Sequence, residues 1–238
     1  MNYKKLILPL IIILFYSCGN VEKKQEIELQ EKKEIAIKDS LDLINKLKAE
    51  KEKRTQDSII QVEQNIAIGE INFDITNKEF YKKKEPFLKK CRLPEMEYYK
   101  NLTFFHYKIG EYGFSNLYGW FYNDSLYNIR FIGATVEYDE YNRIMPDQYK
   151  ALMNILTQKY DEPVIENGLP EWTDLEKGYF KRAAIWNIGN KRIEVRISCE
   201  GVNYYLNLEI FKPEVKRQIQ KEKEEKAKKS NKDALEIL

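Results

Sequence analysis

Side chains able to carry chemistry are few in this chain of 238 residues, with one histidine, His106, and three cysteines, Cys18, Cys91 and Cys199. A single imidazole excludes every site built on two or more, including the common catalytic zinc sets. Within Phe104-Phe105-His106-Tyr107 it reads as a strand histidine packed among aromatics. Gly113-Phe114-Ser115-Asn116-Leu117 lacks the closing glycine of a nucleophile elbow. There is no glycine-lysine-hydroxyl phosphate loop and no paired-glycine dinucleotide fingerprint. Glu137, Asp139 and Glu140 cluster closely enough to hold a calcium ion, but no spaced loop of about 12 residues surrounds them, and a solvated strand end is the simpler reading. The expectation is a non-enzyme that uses no metal and no small-molecule cofactor.

Cys18 is the exception. Lys4 and Lys5 precede an apolar run, Leu6 to Tyr16, that ends at Ser17-Cys18. A membrane span needs about 20 apolar residues, whereas the apolar region of a secretory signal has roughly 7–15 with a small residue at the cut. A small residue directly before cysteine resembles the lipobox of bacterial lipoproteins, relaxed here by Phe15 and Tyr16. That resemblance implies cleavage after Ser17 and lipidation of Cys18, which anchors the protein to a membrane of the cell envelope. Each buried methylene contributes about 0.8 kcal/mol, so several acyl chains hold firmly where one holds marginally. Gly19, in place of an aspartate, resembles the default that passes to the outer membrane.

An envelope location would permit Cys91 and Cys199 to form a disulfide, or Cys199, which continues the series Ile193, Val195, Ile197, is an ordinary buried thiol. Asp39-Ser40-Leu41, Asp57-Ser58-Ile59 and Asp124-Ser125-Leu126 resemble the Asp-Ser/Thr-aliphatic signal for O-glycosylation of envelope proteins in some Gram-negative bacteria. Ser40, Ser58 and Ser125 are the candidate acceptors, and helix caps or turns are the other reading.

The elements that would position these groups follow from a sharp change in composition. Val21 to Asn65 holds 11 acidic and 10 basic residues and no aromatic, glycine or proline. This predicts a helical or disordered stalk over 18–68. Ile37, Leu41 and Ile44 have coiled-coil spacing, but Glu34 and Lys48 occupy the next seam positions, so a single solvated helix is expected. Gly69 to Pro213 carries 15 of the 17 tyrosines and is the folded domain, while 214–238 returns to a charged helical or disordered tail. Between Gly69 and Pro213 there are 20 basic and 21 acidic residues, so no basic field for nucleic acid exists.

Thr76-Asn77-Lys78-Glu79 predicts a capped helix limited or kinked by Pro86 and Pro94. Strands follow near Phe104–Ile109, Phe114–Tyr122 and Leu126–Tyr138, with a turn at Asn123-Asp124-Ser125. Pro146-Asp147 opens a second helix that ends at Asp161-Glu162-Pro163. Three more strands run near Tyr179–Ile188, Lys191–Cys199 and Asn203–Phe211. Arg130 follows Trp120, and Arg196 follows Trp186, after the same interval. This reads as a tandem repeat, about 70–140 and 144–212. The predicted class is α+β: two helix-plus-three-strand units forming a two-layer antiparallel sheet with helices on one face.

That order resembles the tandem β-lactamase-inhibitor-protein-like fold and the small outer-membrane lipoproteins of the SmpA/OmlA type. No residue motif of either group is matched. The resemblance implies a non-catalytic sheet used for docking.

If Trp120, Ile129, Phe131, Trp186, Val195 and Ile197 face the helices, alternation sends Leu117, Phe121, Arg130, Ile132, Arg196 and Tyr205 to the opposite face. Large apolar side chains mixed with arginine suit a protein interface. Two functions fit: a lipid-anchored protein-binding or scaffolding module with an envelope protein partner, or an envelope enzyme inhibitor or immunity-type protein. The anchor has a direct check: an alkyne-tagged fatty acid fed to cells should label the wild type and leave Cys18→Ala dark.

Overall fold

The computed structural model describes residues 30, 33, 37–94 and 105–237, with side chains to residue 231. Cys18 and its leader, and hence the expected lipidation site, lie outside the described residues. The chain divides after Ser58 into two units.

In the first unit, residues 37–58 are helical and exposed. Ile37, Leu41 and Ile44 are each about half exposed or more. Ser40 and Ser58 both lie on this helix.

The second unit begins at Ile59, about ten residues before the change in composition. Its helical residues 59–63 lead into β1 (Ile66–Ile68) and β2 (Ile71–Asn72), a small hairpin that buries Ala67 and Ile71 completely. The predicted stalk boundary at residue 68 is therefore corrected: short aliphatics without aromatics here belong to a core. Helix α1 (Asn77–Cys91) starts with the predicted capping box. The Thr76 hydroxyl accepts from the Glu79 amide, and the Glu79 carboxylate accepts from the Thr76 amide. Pro86 is accommodated inside the helix. Next come β3 (Tyr107–Ile109), β4 (Tyr112–Tyr122), β5 (Ser125–Gly133) and β6 (Thr135–Glu137). Helix α2 (Tyr141–Tyr160) begins five residues before Pro146, which lies within it rather than opening it. Then β7 (Ile165–Glu166), β8 (Phe180–Ile188), β9 (Lys191–Glu200), β10 (Asn203–Phe211) and helix α3 (Pro213–Ile237) complete the unit.

The protein is α+β, an antiparallel sheet packed against helices. Strands β3-β4-β5-β10-β9-β8-β7 form one sheet, with β6 paired to β10. Each helix-plus-three-strand unit makes a meander, and the two join where β5 meets β10, Phe131 opposite Leu208. The Trp–Arg spacing does not mark that repeat. Trp120 and Arg130 lie on the second and third strands of the first meander, and Trp186 and Arg196 on the first and second strands of the other.

Apolar residues of the sheet's inner face pack against α1 and α2. Phe80 of α1 touches Phe121, Phe87 touches Phe131, and Tyr141 of α2 touches Tyr204. The Trp186 indole donates to the Asp161 carbonyl at 2.9 Å. Gly119 lies directly beneath Phe80, whose ring atoms stand 2.9 Å from where a β-carbon would be. The Asn123-Asp124 turn has positive φ at both residues, as a tight hairpin requires. Ser125 starts β5 within that hairpin, and the Asp124 carboxylate accepts from the Asn77 amide at 3.3 Å.

The segment entering the domain is held by one buried amine. Lys191 Nζ donates to the Glu63 carboxylate at 2.9 Å and to the carbonyls of Glu63 and Ile66 at 2.8 and 3.1 Å. Lys159 and the Tyr160 hydroxyl also reach that carboxylate, at 3.0 and 2.9 Å. Gly189, at φ +57°, lets Gln64 approach closer than any side chain would permit. Burial raises the Glu63 carboxyl pKa, but bonds from Lys191, Lys159 and Tyr160 outweigh it, leaving it below 4.5. Its contribution is thus complete above that value and disappears as pH falls through the lower folded value. Glu63→Gln should flatten the acid limb of a stability–pH profile measured by urea unfolding, and Lys191→Met should cost about 3 kcal/mol.

Candidate binding face of the sheet

Alternation along the central strands sends a row of mostly polar residues to the face away from α1 and α2. From β9 these are Arg192, Glu194, Arg196 and Ser198; from β10, Tyr205, Asn207 and Glu209; from β5, Asn128, Arg130 and Ile132. Strand register brings them together, because Asn207 lies opposite Arg196 and Glu209 opposite both Glu194 and Arg130.

At the centre, Arg196 bridges two carboxylates. Its Nε donates to Glu194 Oε2 at 2.7 Å, and Nη1 pairs with Glu209 Oε2. Arg182 and Arg192 reach Glu194 at 2.9 and 2.7 Å. Arg130 and Lys216 approach Glu209 at 3.4 and 3.1 Å, and Asn128 donates to it at 2.7 Å. The side chains of Glu194, Glu209 and Arg196 are almost wholly buried. Desolvation raises the pKa of Glu209, but Arg196, Arg130 and Lys216 more than reverse it and hold the carboxyl below its usual range. Glu194 follows the same pattern, with Arg196 and Arg182 opposing its burial. The network contains five cations and two carboxylates, an excess of three positive charges.

Aromatic rings flank these guanidinium groups. Arg196 lies 4.4 Å from the Phe180 ring centroid, and Arg130 lies 4.9 Å from that of Trp120. Above this floor opens a cleft of about 430 Å³. Tyr118, Arg130 and Ile132 line one side, Tyr179 and Phe180 the other, with Ser198, Tyr205 and Asn207 between them. Tyr118, Tyr179 and Phe180 are 47%, 67% and 43% exposed. The Arg130 Nε–H is buried and has no hydrogen-bond partner among the described residues. Helix α3 bounds the far end of this face, with Lys216 above Phe211, and Gln218 and Glu222 at the Tyr122 hydroxyl.

Four of the six expected surface residues, Arg130, Ile132, Arg196 and Tyr205, line this cleft. Leu117 and Phe121 do not. Leu117 is wholly buried in the core, and Phe121 packs on Phe80. Trp120, expected inside, carries Arg130 on its ring instead. The strand is one residue out of the expected phase because Gly119, not Trp120, faces α1, and a one-residue slip reverses every side chain. Tyr118, Tyr179, Phe180, Ser198, Asn207, Glu194 and Glu209 were not anticipated. The signal for the last two was present, since opposite charges recur at alternate positions of adjacent outward rows.

The remaining candidates lie elsewhere. Cys91 and Cys199 are separate free thiols, which corrects the disulfide alternative. Cys199 is buried, its thiol facing the Gly201 carbonyl at 3.5 Å, while Cys91 ends α1 with its thiol pKa raised by burial. His106 is exposed, not packed inside, and its ring lies 6.3 Å from Tyr107. Glu140 pairs with Arg143, and the Ser115 hydroxyl donates to the Ile132 carbonyl at 3.2 Å. No group of three or more His, Cys, Asp or Glu able to hold a metal ion occurs among the described residues. Among them, too, no helix is long and apolar enough to cross a membrane.

No protein-family model matches the chain, and no curated protein or solved structure shows significant similarity to it.

The floor and the rim of the cleft should respond differently to substitution. Removing one member of a buried ion pair strands the other, at about 3–5 kcal/mol. Arg196→Met and Glu209→Met should therefore each destabilise by that order, while the double variant falls short of their sum by roughly 1–3 kcal/mol in urea unfolding. Tyr118→Ala at the exposed rim should stay within about 0.5 kcal/mol of wild type.

Proposed function

We propose that this protein is a lipid-anchored protein-binding module of the cell envelope, tethered through Cys18 and engaging its partner through the outer cleft of the sheet. One observation carries the binding part of this reading: exposed Tyr118, Tyr179 and Phe180 surround a cleft whose floor is already rigid and hydrogen-bonded. Tyrosine and arginine provide large contact area at modest entropic cost and dominate the energetics of protein interfaces. A floor fixed by ion pairs is preorganised, so less ordering free energy is lost on association. The excess positive charge favours a partner surface rich in carboxylates. For the tether, support comes from the sequence around Cys18, with the helical residues 37–58 as a spacer between anchor and domain.

A photo-crosslinking residue placed at Tyr205 in the full chain should capture a discrete protein from intact cells. Tyr118→Ala with Tyr179→Ala should weaken that capture at least tenfold, equivalent to about 1.4 kcal/mol, while thermal stability changes little. Capture only from a position outside the cleft, such as exposed Tyr81, would refute this assignment of the binding face. Capture of one enzyme accompanied by loss of its activity would favour the inhibitor or immunity-type function.

A further inference from the structure

Two short 3₁₀ turns meet beyond the end of the sheet at which β6 pairs with β10. Tyr138–Glu140 follows β6, and Trp172–Asp174 lies in the connection between β7 and β8. Their relative position is fixed from within the core. Tyr141, buried against Tyr204, donates its hydroxyl to the Pro170 carbonyl at 2.6 Å, and Leu175 is buried immediately after the second turn. The rings of Tyr138 and Trp172 are thereby held 6.4 Å apart and tilted by 57°, with 57% and 39% of these residues exposed. Two adjacent large rings on a fixed support and open to water form the kind of patch that marks an interaction site.

The same two turns are acidic. Glu140 is paired with Arg143, and Asp174 with Lys181 at 3.7 Å, but Glu137, Asp139 and Glu171 are exposed and form no ion pair among the described residues. Burial raises the pKa of the Tyr141 hydroxyl, and the charges of Glu171 and Asp174 raise it further, which shows how closely these carboxylates approach the base of the turns. Neither ring and none of the three unpaired carboxylates lines the cleft. Strand β3 is three strands away from β10 and is entered from the opposite end of the sheet, so the turns stand roughly 25 Å from Phe105, farther than the backbone of residues 95–104 can reach when anchored at both ends. Aromatic faces beside unpaired carboxylates suit an alkylammonium or guanidinium group: the rings attract the cation, and the carboxylates balance its charge.

We propose that Tyr138 and Trp172, with Glu137, Asp139 and Glu171 beside them, dock a lysine- or arginine-bearing segment of a partner protein. The charge of this surface is opposite to that of the cleft, so a segment suited to one is disfavoured at the other. A second copy of this chain is the poorer occupant, because the cations of its cleft are already committed to Glu194 and Glu209. The proposal does not depend on the cleft and adds to the module a second contact surface of different chemistry.

The test follows the indole N–H of Trp172, one of three tryptophans, by NMR of the full chain, with Trp172→Phe assigning the signal. The probes are a capped peptide of about seven residues, glycine and serine with alternate lysines, and its twin with glutamine in place of lysine. At about 50 mM salt the lysine peptide should shift the signal with half-saturation near 1 mM, and the glutamine twin should bind at least tenfold more weakly. Asp139→Asn with Glu171→Gln, and separately Tyr138→Ala, should each weaken binding roughly threefold, whereas Glu224→Gln with Glu225→Gln, which removes the same charge from α3, should leave it unchanged. Equal shifts by the two peptides, or an equal loss in the α3 variant, would reduce the effect to unspecific attraction and overturn the proposal. So would a Trp172 signal that moves with protein concentration alone, which would assign the surface to a second copy. Zero-length carbodiimide coupling of Asp139 or Glu171 to a lysine among residues 1–36 of the same chain would overturn it as well, by assigning the surface to the chain itself.

Discussion

The outer face of the sheet depends on the guanidinium of Arg196, which ties Glu194 on its own strand to Glu209 on the next. Without it, two carboxylates buried on adjacent strands would face each other across about 5 Å of backbone spacing, each needing a counter-charge in a poorly solvated place. With it, the central strands β9 and β10 are packed on both faces, apolar residues toward the helices and a closed ionic layer toward solvent. An apolar layer there would have been comparably stable and would have invited burial by anything apolar. The ionic layer instead gives the cleft a polar floor whose charges are paired with one another.

Lys191 solves a related problem at the other end of β9. There the amine serves two carbonyls and a carboxylate from the entering segment, and a β-branched or aliphatic residue would take this donor from both carbonyls and leave the carboxylate to Lys159 and Tyr160 alone. Both devices use strand β9, at residues five apart. Their side chains leave opposite faces, as an odd separation requires. The strand at the centre of the ionic layer is thereby also the one that holds Glu63 and Ile66 within the folded unit.

Local chemistry was legible in the sequence wherever it was decided locally. The Thr76–Glu79 capping box and the Asn123-Asp124 turn depend on residues three or fewer apart, and both are present. Phase across a strand was less so. The inward position of β4 opposite Phe80 is a glycine, which contributes no hydrophobic signal, so the neighbouring tryptophan took its place in the expected pattern. The start of the folded unit was hidden for a similar reason, since Ala67 and Ile71 bury without any aromatic neighbour in sequence. Pro146 misled because the first turns of α2 precede it, although proline inside a helix costs a hydrogen bond. The ion-pair layer was half legible: alternation identified Arg130 and Arg196, but only the β5–β10 register shows that Glu209 stands between them.

Floor and rim therefore divide the work of the cleft. Charges in the floor are committed to one another, and any partner group that competed for them would have to break pairs that hold the fold, so they contribute shape and field more than direct contact. Residues at the rim have no such obligation. Arg130 is the intermediate case, with one guanidinium nitrogen directed at Glu209, its plane on Trp120 and its Nε–H unmatched. It belongs both to the fixed layer and to the wall of the cleft.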